Sequence, residues 1–368
     1  MTSSVTIGDI WRGAAIAITA FSGYLKMMIL NPLLAFCSLG LSLVQAPQTT
    51  EPPAALVKFL RESIALTPDQ LAAATRGEPV VKVLDTRERR DIAVFGITTV
   101  AVSRAAYVAR VRDAKNWLRT PTRSRFGLFS TPATPADVQA FTISQRDANE
   151  MKDCKPGDCV VKLPATDMQR IHAETNWSAS DLVAQLSAYG RRRLVEYVTD
   201  YRARGDSALA IYDDRGTVHA SDAFAALLAE SPYVYQTVPS LQRYLASYPR
   251  AALADASEIL FWSEDVLPHL RPILSVTHQV VFTPPELPGM TLVAAKQIYA
   301  DHYFEAAVDL TCIVDGVGRD GRPASYLVIL RRYRFDNMPG GILNIRGKAV
   351  GALRDLMLAD LQREALTP

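Results

Sequence analysis

The chain has 368 residues, 49% apolar and 21% charged, which is enough for a folded core and too hydrophobic for wholesale disorder. Its 40 basic side chains against 38 acidic ones leave a formal charge of +2, which argues against a dedicated nucleic-acid binder and its basic face. The run Arg191-Arg192-Arg193 falls in a helix-like stretch and reads as a solvated face.

In chain order, residues 1–46 stand apart. Between Gly13 and Ala46 the only charge is Lys26, which separates GAAIAITAFSGYL from MMILNPLLAFCSLGLSLVQA. The second run has the length of a signal-peptide hydrophobic region and ends on Val44-Gln45-Ala46, small residues at cleavage spacing. Roughly 20 apolar residues also suffice for an uncleaved anchor. Pro47 after the cut fits cleavage poorly, and the bulky Phe36 before Cys37 fits a lipoprotein box poorly. Export is the expectation, to the periplasm or outside, with membrane contact only through this segment. Residues 47–66, containing QTTEPPAA, read as a linker.

Thr67-Pro68-Asp69-Gln70 carries a helix-start signature: a hydroxyl cap, proline at the first helical position and glutamine three residues after the cap. VVKVLD (80–85) and DIAVFGITTVAV (91–102) read as β-branched strands, and SRAAYVARVRDAKNWL (103–118) as a helix capped by Ser103. RTPTRSRFGLFSTPATPAD reads as an ordered loop or flap. VQAFTI and CVVKLP read as short strands separated by a small helix. From about 167 to 248, Ala, Leu, Arg and Tyr dominate, giving three or four helices broken near Gly190, Gly205, Gly216 and Pro232.

The stretch MKDCKPGDC places Cys154 and Cys159 around Pro156-Gly157, the preferred centre of a type II turn. Four intervening residues do not match a thioredoxin-like pair, and no second Cys or His pair completes a zinc site. In an exported chain these cysteines read as a disulfide staple, with free thiols, metal or redox work as the other readings. Cys312 alternates with apolar residues in a strand pattern and reads as a core thiol.

The last third holds five strand candidates, EILFWSEDV, RPILSVTHQVVF, MTLVAAKQIYA, YFEAAVDLTCIV and ASYLVILRRYRF, joined by turn-rich pieces. Short links favour an antiparallel meander. Ile342, Ile345, Ala349, Leu353, Leu356 and Leu361 then approximate one face of a closing helix. The fold class is α+β: a curved antiparallel sheet packed on a long C-terminal helix, with a helical insertion, all within residues 67–368.

This order of elements, over residues 80–366, resembles the START-like (helix-grip, SRPBCC-type) superfamily. The resemblance implies a curved sheet wrapped around the terminal helix and a cavity for apolar ligands between them. Members bind lipids, sterols or polyketides, and some are cyclases or hydrolases. The CKPGDC loop is also similar to one in exported bacterial proteins, which implies a compartment and no activity.

Polar groups on otherwise apolar strand faces are the candidates for a site. His278 alternates with Leu274, Val276, Val280 and Phe282, while Lys296 and His302 are in phase with Leu292, Ala294, Ile298 and Ala300. Tyr299, Tyr303 and Glu305 are near them, and Arg331, Arg332 and Arg334 precede Asp336 in a guanidinium–carboxylate network, Arg332 being placed to grip an anionic head group. The expected ligand-binding set is His278, Lys296, Tyr299, His302, Glu305 and Arg332, for an apolar or amphipathic, lipid-like small molecule. The plain alternative makes His278 a satisfied core histidine and His302 part of a turn. A cavity enzyme using His278, Lys296 or His302 as acid–base groups is the second functional reading, and an envelope interaction protein the third. No nucleophile elbow, phosphate loop or Rossmann glycine pattern is present, and neither metal nor cofactor is expected.

Overall fold

The computed structural model describes residues 52–366 except 268–269, 319 and 339–343. The expected export segment 1–46 and Ile342 therefore lie outside the described residues. Eight strands form one antiparallel sheet in the order β1-β2-β10-β9-β8-β7-β6-β3. They are β1 (Val80–Leu84), β2 (Asp91–Val100), β3 (Arg123–Leu128), β6 (Ser257–Asp265), β7 (Ile273–Phe282), β8 (Met290–Ala300), β9 (Phe304–Val317) and β10 (Pro323–Phe335). A two-stranded ladder, β4 (Ile211–Tyr212) with β5 (Val218–His219), stands apart from it.

The run β6 to β10 is a meander in which each strand pairs with the next, as short turn-rich links dictate. Strand period sorts its residues into two layers. On β7, Leu274, Val276, Val280 and Phe282 face one side, packed with helices α7 (Leu182–Arg204), α8 (Ala220–Ala229) and α10 (Pro239–Ser247). Ile273 and Val281 face the other, in a cluster with Tyr107 of α3 (Arg104–Arg112) and Met357 and Leu361 of α11 (Ile345–Leu366). Gly96 of β2 lets α11 approach: a Cβ there would lie 2.8 Å from Met357 Sδ and 2.9 Å from Leu361 Cδ1.

Local signals hold well at helix starts. Thr67 accepts a bond from the Gln70 amide while the Gln70 side chain accepts from the Thr67 amide, opening α2 (Pro68–Thr75). Ser103 caps α3 by one bond alone, its hydroxyl accepting from the Ala106 amide. Several expectations need correction. The end of the expected linker is α1 (Ala54–Glu62), whose Leu56 and Leu60 pack with Phe95 and Ile97 on the sheet. The expected flap contains β3, which pairs with β6 at the sheet edge. VQAFTI and CVVKLP are not strands: a 3-10 turn (Pro135–Val138) and irregular chain occupy them, although the small helix between is present as α5 (Gln145–Met151). Gly190 lies inside α7 and does not break it, whereas Gly205, at φ +59, does end it.

Candidate functional site

A cavity of about 550 Å³ lies on the α11 side of the sheet, within the range of small-molecule sites. Its floor is the odd-numbered face of the meander: Ser275, Thr277 and Gln279 of β7, Gln297 of β8, Asp309 and Thr311 of β9, and Arg331 and Tyr333 of β10. Its walls are apolar and aromatic: Tyr107 of α3, Trp117 and Leu118 of the next short helix, Phe261, Phe304, and Leu353 and Leu356 of α11. Tyr107 and Trp117 meet edge to face, ring centroids 5.9 Å apart.

The register explains this floor. The meander alternates except at two register shifts, one where Val276 faces Tyr299 and Thr277 faces Gln297, the other where Arg334 faces Ala306 and Phe335 faces Phe304. The first, a bulge, leaves Ile298 and Tyr299 with the helical layer, while Gln297 before it keeps the cavity phase of Val293 and Ala295, where its amide donates to Ser275 Oγ at 2.9 Å. Arg331 donates to Asp360 of α11 at 2.7 Å and lies 3.4 Å from Asp309. Burial raises the pKa of the Asp309 carboxyl and of the Tyr333 hydroxyl.

Ionic groups in the lining balance. Five guanidinium groups (Arg110, Arg119, Arg123, Arg331, Arg363) face five carboxyl groups (Asp113, Asp265, Asp309, Asp360, Glu364). Hydrogen bonding does not balance. Among the described residues eleven buried side-chain atoms lack a hydrogen-bond partner, and five belong to this lining: Arg110 Nη1, Arg123 Nε, Gln297 Oε1, Asp309 Oδ1 and Arg331 Nε. Carboxylates stand 3.3 Å from Arg123 Nε and 3.4 Å from Arg331 Nε, out of line with their N–H bonds. All five atoms are themselves buried, so the polar surface that the cavity offers a guest comes from the other groups of its floor.

The residues expected to bind ligand lie elsewhere. His278 and Lys296 are direct cross-strand neighbours on the helix-covered face. His278 is a neutral, fully partnered core histidine: Tyr201 donates to Nδ1 at 3.0 Å, and Nε2 donates at 3.1 Å to Tyr244, whose own hydroxyl bonds Glu258. Burial lowers its pKa. Lys296 is fully buried, paired with Asp206 and set 4.0 Å from the Phe224 ring centre, and burial holds its pKa down to about 8. Neither lines the cavity.

Tyr299 and His302 come together by another route. Strand β8 ends at Ala300, so His302 sits in the β8–β9 turn, next to Tyr303 at φ +63. Ala300 is on the α11 side of the sheet with Ile273, out of phase with Lys296 because of the bulge. Tyr299 donates to the Lys162 carbonyl at 2.9 Å, and His302 Nδ1 to the Val160 carbonyl at 3.0 Å. Both therefore hold down the loop stapled by the Cys154–Cys159 disulfide. That loop closes as a turn, Asp158 donating to the Lys155 carbonyl at 2.9 Å with Gly157 at φ +84.

Glu305 pairs with Arg90. Arg332 donates to Ser231 and to the Glu230 carbonyl, so it anchors the helical layer rather than an anionic ligand. The expected guanidinium network divides: Arg331 reaches the cavity, Arg334 makes a two-pronged contact with Asp91, and Asp336 lies 4.0 Å from Lys162. Cys312 is a free thiol, but it is only partly buried, packed at the margin of the core rather than within it.

The cavity residues Ser275, Thr277, Gln279, Gln297 and Thr311 were legible as one strand phase but resemble a solvent-facing one. Their type carried no separate signal, because neutral hydrogen-bonding side chains suit a strand face in water as well as one in a cavity. A second cavity, of about 450 Å³, lies on the helical side among α5, α7 and the end of β7. Among the described residues no group of acidic, histidine and cysteine side chains is arranged to hold a metal ion. No protein-family model matches the chain, and no curated protein matches it.

Proposed function

We propose that the chain binds a small amphipathic molecule in the cavity between the sheet and α11, as a noncatalytic carrier or sensor working after export. The observation that carries this reading is the cavity itself, with an apolar wall opposite a floor of hydrogen-bonding side chains. An antiparallel meander closed by a C-terminal helix, with a void between them, supports the START-like resemblance. The disulfide supports an oxidising compartment. A purely apolar guest fits this floor poorly, because it would strip water from side chains such as Ser275, Thr277 and Gln279 without replacing its hydrogen bonds. The enzyme reading draws no support from its named residues, since His278 and Lys296 are sealed under helices and His302 is committed to a loop.

Native mass spectrometry of the gently purified chain tests the reading. A bound small molecule is expected, and it should be lost from Ala295→Trp, which places a large ring on the cavity floor. A chain carrying no guest, or a guest retained in Ala295→Trp, would count against the proposal.

A further inference from the structure

The geometry points to a second, separate binding site in the helical-side cavity, for a small molecule that joins an ammonium group to an apolar body, the ammonium pairing with Asp301. It is independent of the guest proposed for the α11 side, from which the sheet divides it.

This cavity, of about 450 Å³, lies between α5, α6 (Ala165–Glu174), α7 and the end of β7. Its body is apolar, with Ile143, Leu163, Ile171, Leu186, Leu194 and Leu274 in the lining. Asp301, in the β8–β9 turn, also lines it, and its carboxyl is only half answered. Oδ1 accepts from the Leu274 amide at 2.9 Å. Oδ2 makes no hydrogen bond among the described residues, where the one cationic group within 4.0 Å is His302, its Nε2 at 3.9 Å. That oxygen is not sealed off: it is absent from the buried unpartnered atoms, and the Asp301 side chain is 17% exposed. The other five carboxylates of the lining have partners of their own. Arg193 holds Asp167, Arg204 holds Asp200, Arg125 holds Glu264, Arg271 holds Asp147, and the Ala165 amide and Thr217 hydroxyl bond Asp213.

An ionised carboxylate in apolar surroundings needs a counter-charge as well as a donor. A hydroxyl, an amide or a water molecule would bond Oδ2 and leave the charge uncompensated. A second anion would meet Asp301, Asp147 and Glu264 together. An ammonium group brings donor and charge on one atom, and its charge-assisted bond is the stronger kind. The apolar body of the guest then replaces water along the leucine and isoleucine lining. Burial raises the Asp301 carboxyl to about 7; the Asp147 and Glu264 charges push it the same way, while His302 and the Leu274 amide oppose them. The site is therefore charged above neutrality and is discharged as pH falls.

The test is calorimetric titration of the full chain with three probes that share an eight-carbon tail: octylammonium, octanol and octanoate. At pH 8 octylammonium is expected to bind at least tenfold more tightly than the other two. Asp301→Asn keeps an oxygen for the Leu274 amide and removes the charge, so it should weaken octylammonium at least tenfold. In the unmodified chain octylammonium should weaken at least tenfold from pH 8 to pH 6, as a carboxyl titrating near 7 takes up its proton. Protonation of His302 on the way down acts in the same direction, and the probe, like a lysine ammonium, stays charged throughout. Ala295→Trp, on the other side of the sheet, should leave this binding intact. Absence of octylammonium binding, equal binding of octanol or octanoate, or an affinity that does not fall toward pH 6 would overturn the proposal, even if Asp301→Asn failed to fold. Unchanged binding in a folded Asp301→Asn chain would overturn it too. Loss of binding in Ala295→Trp would do the same, by placing the amine on the α11 side.

Discussion

His302 is 4% exposed, with Asp147 3.6 Å and Asp301 3.9 Å from its Nε2. Burial alone would depress its pKa, but the two carboxylates outweigh burial and raise it. Burial pushes Asp147 the other way, yet the nearby His302 ring, a bond from Ser144 and the Arg271 charge pull it down to about 2. A histidine whose pKa is higher in the folded state stabilises fully below its unfolded value of about 6.5, and that stabilisation is lost as pH rises through the folded value. Asp147 is ionised throughout this window, because its contribution disappears only as pH falls toward 2. Burial raises the Asp301 carboxyl to about 7, so near pH 5 the imidazolium faces Asp147 as its ionised partner. His302→Gln should therefore cost about 1 kcal/mol there, as for an ion pair without a hydrogen bond, and less near pH 8. Urea unfolding at the two pH values checks this; an equal cost at both would remove the ionic role. Lys296 makes the complementary case. Asp206→Ala strands a buried ammonium and should cost about 3 kcal/mol or more, whereas Lys296→Met removes the charge and should stay within about 1 kcal/mol of wild type. Denaturant midpoints of the two variants decide it, and a severe loss in Lys296→Met would mean that the pair contributes net stability.

At the scale of elements, what was legible followed the strength of periodicity. The five meander strands and the closing helix carry long regular patterns, and their predicted spans nearly coincide with the observed ones. Strand β3 escaped because Arg123-Ser124-Arg125-Phe126-Gly127-Leu128 alternates charge with small and apolar groups inside a proline-rich stretch, and an edge strand tolerates that. Gly190 escaped in the opposite sense. Its missing side chain accommodates Phe141, 2.6 Å from where a Cβ would stand, so it serves packing within a continuous helix. For the site, alternation separated the two faces of each strand but did not say which one the helical insertion would cover. The buried polar residues His278 and Lys296 drew attention because they interrupt an apolar phase. The insertion seals that phase, and the unremarkable Ser-Thr-Gln phase faces the void. A polar strand face has the same composition rule whether it meets bulk water or the inside of a cavity, so only the placement of α11 separates the two.

For the whole molecule, the two sides of the sheet are loaded differently. The helical side carries three hydrophobic clusters, with α1, α2, α7, α8 and α10 contributing buried side chains. The cavity side is covered by α3, a short helix and α11, and α11 buries only Ile345, Met357, Leu361 and Glu364 along its 22 residues. Local opening free energy follows buried apolar contact, so α11 should open far more readily than the strands beneath it. A guest lying between α11 and the sheet binds the closed form alone, and by mass action it stabilises that form by about 2.7 kcal/mol at a hundred times its Kd. Hydrogen exchange of the full chain should then show α11 amides exchanging ahead of those in β9 and β10, and slowing by about a hundredfold when a cavity ligand is saturating. Amides of α7, on the other side of the sheet, should not change. Equal protection of α11 and β9 in the free chain would mean that the helix opens only with the whole domain. Slowing in α7 in place of α11 would put the guest in the helical-side cavity instead.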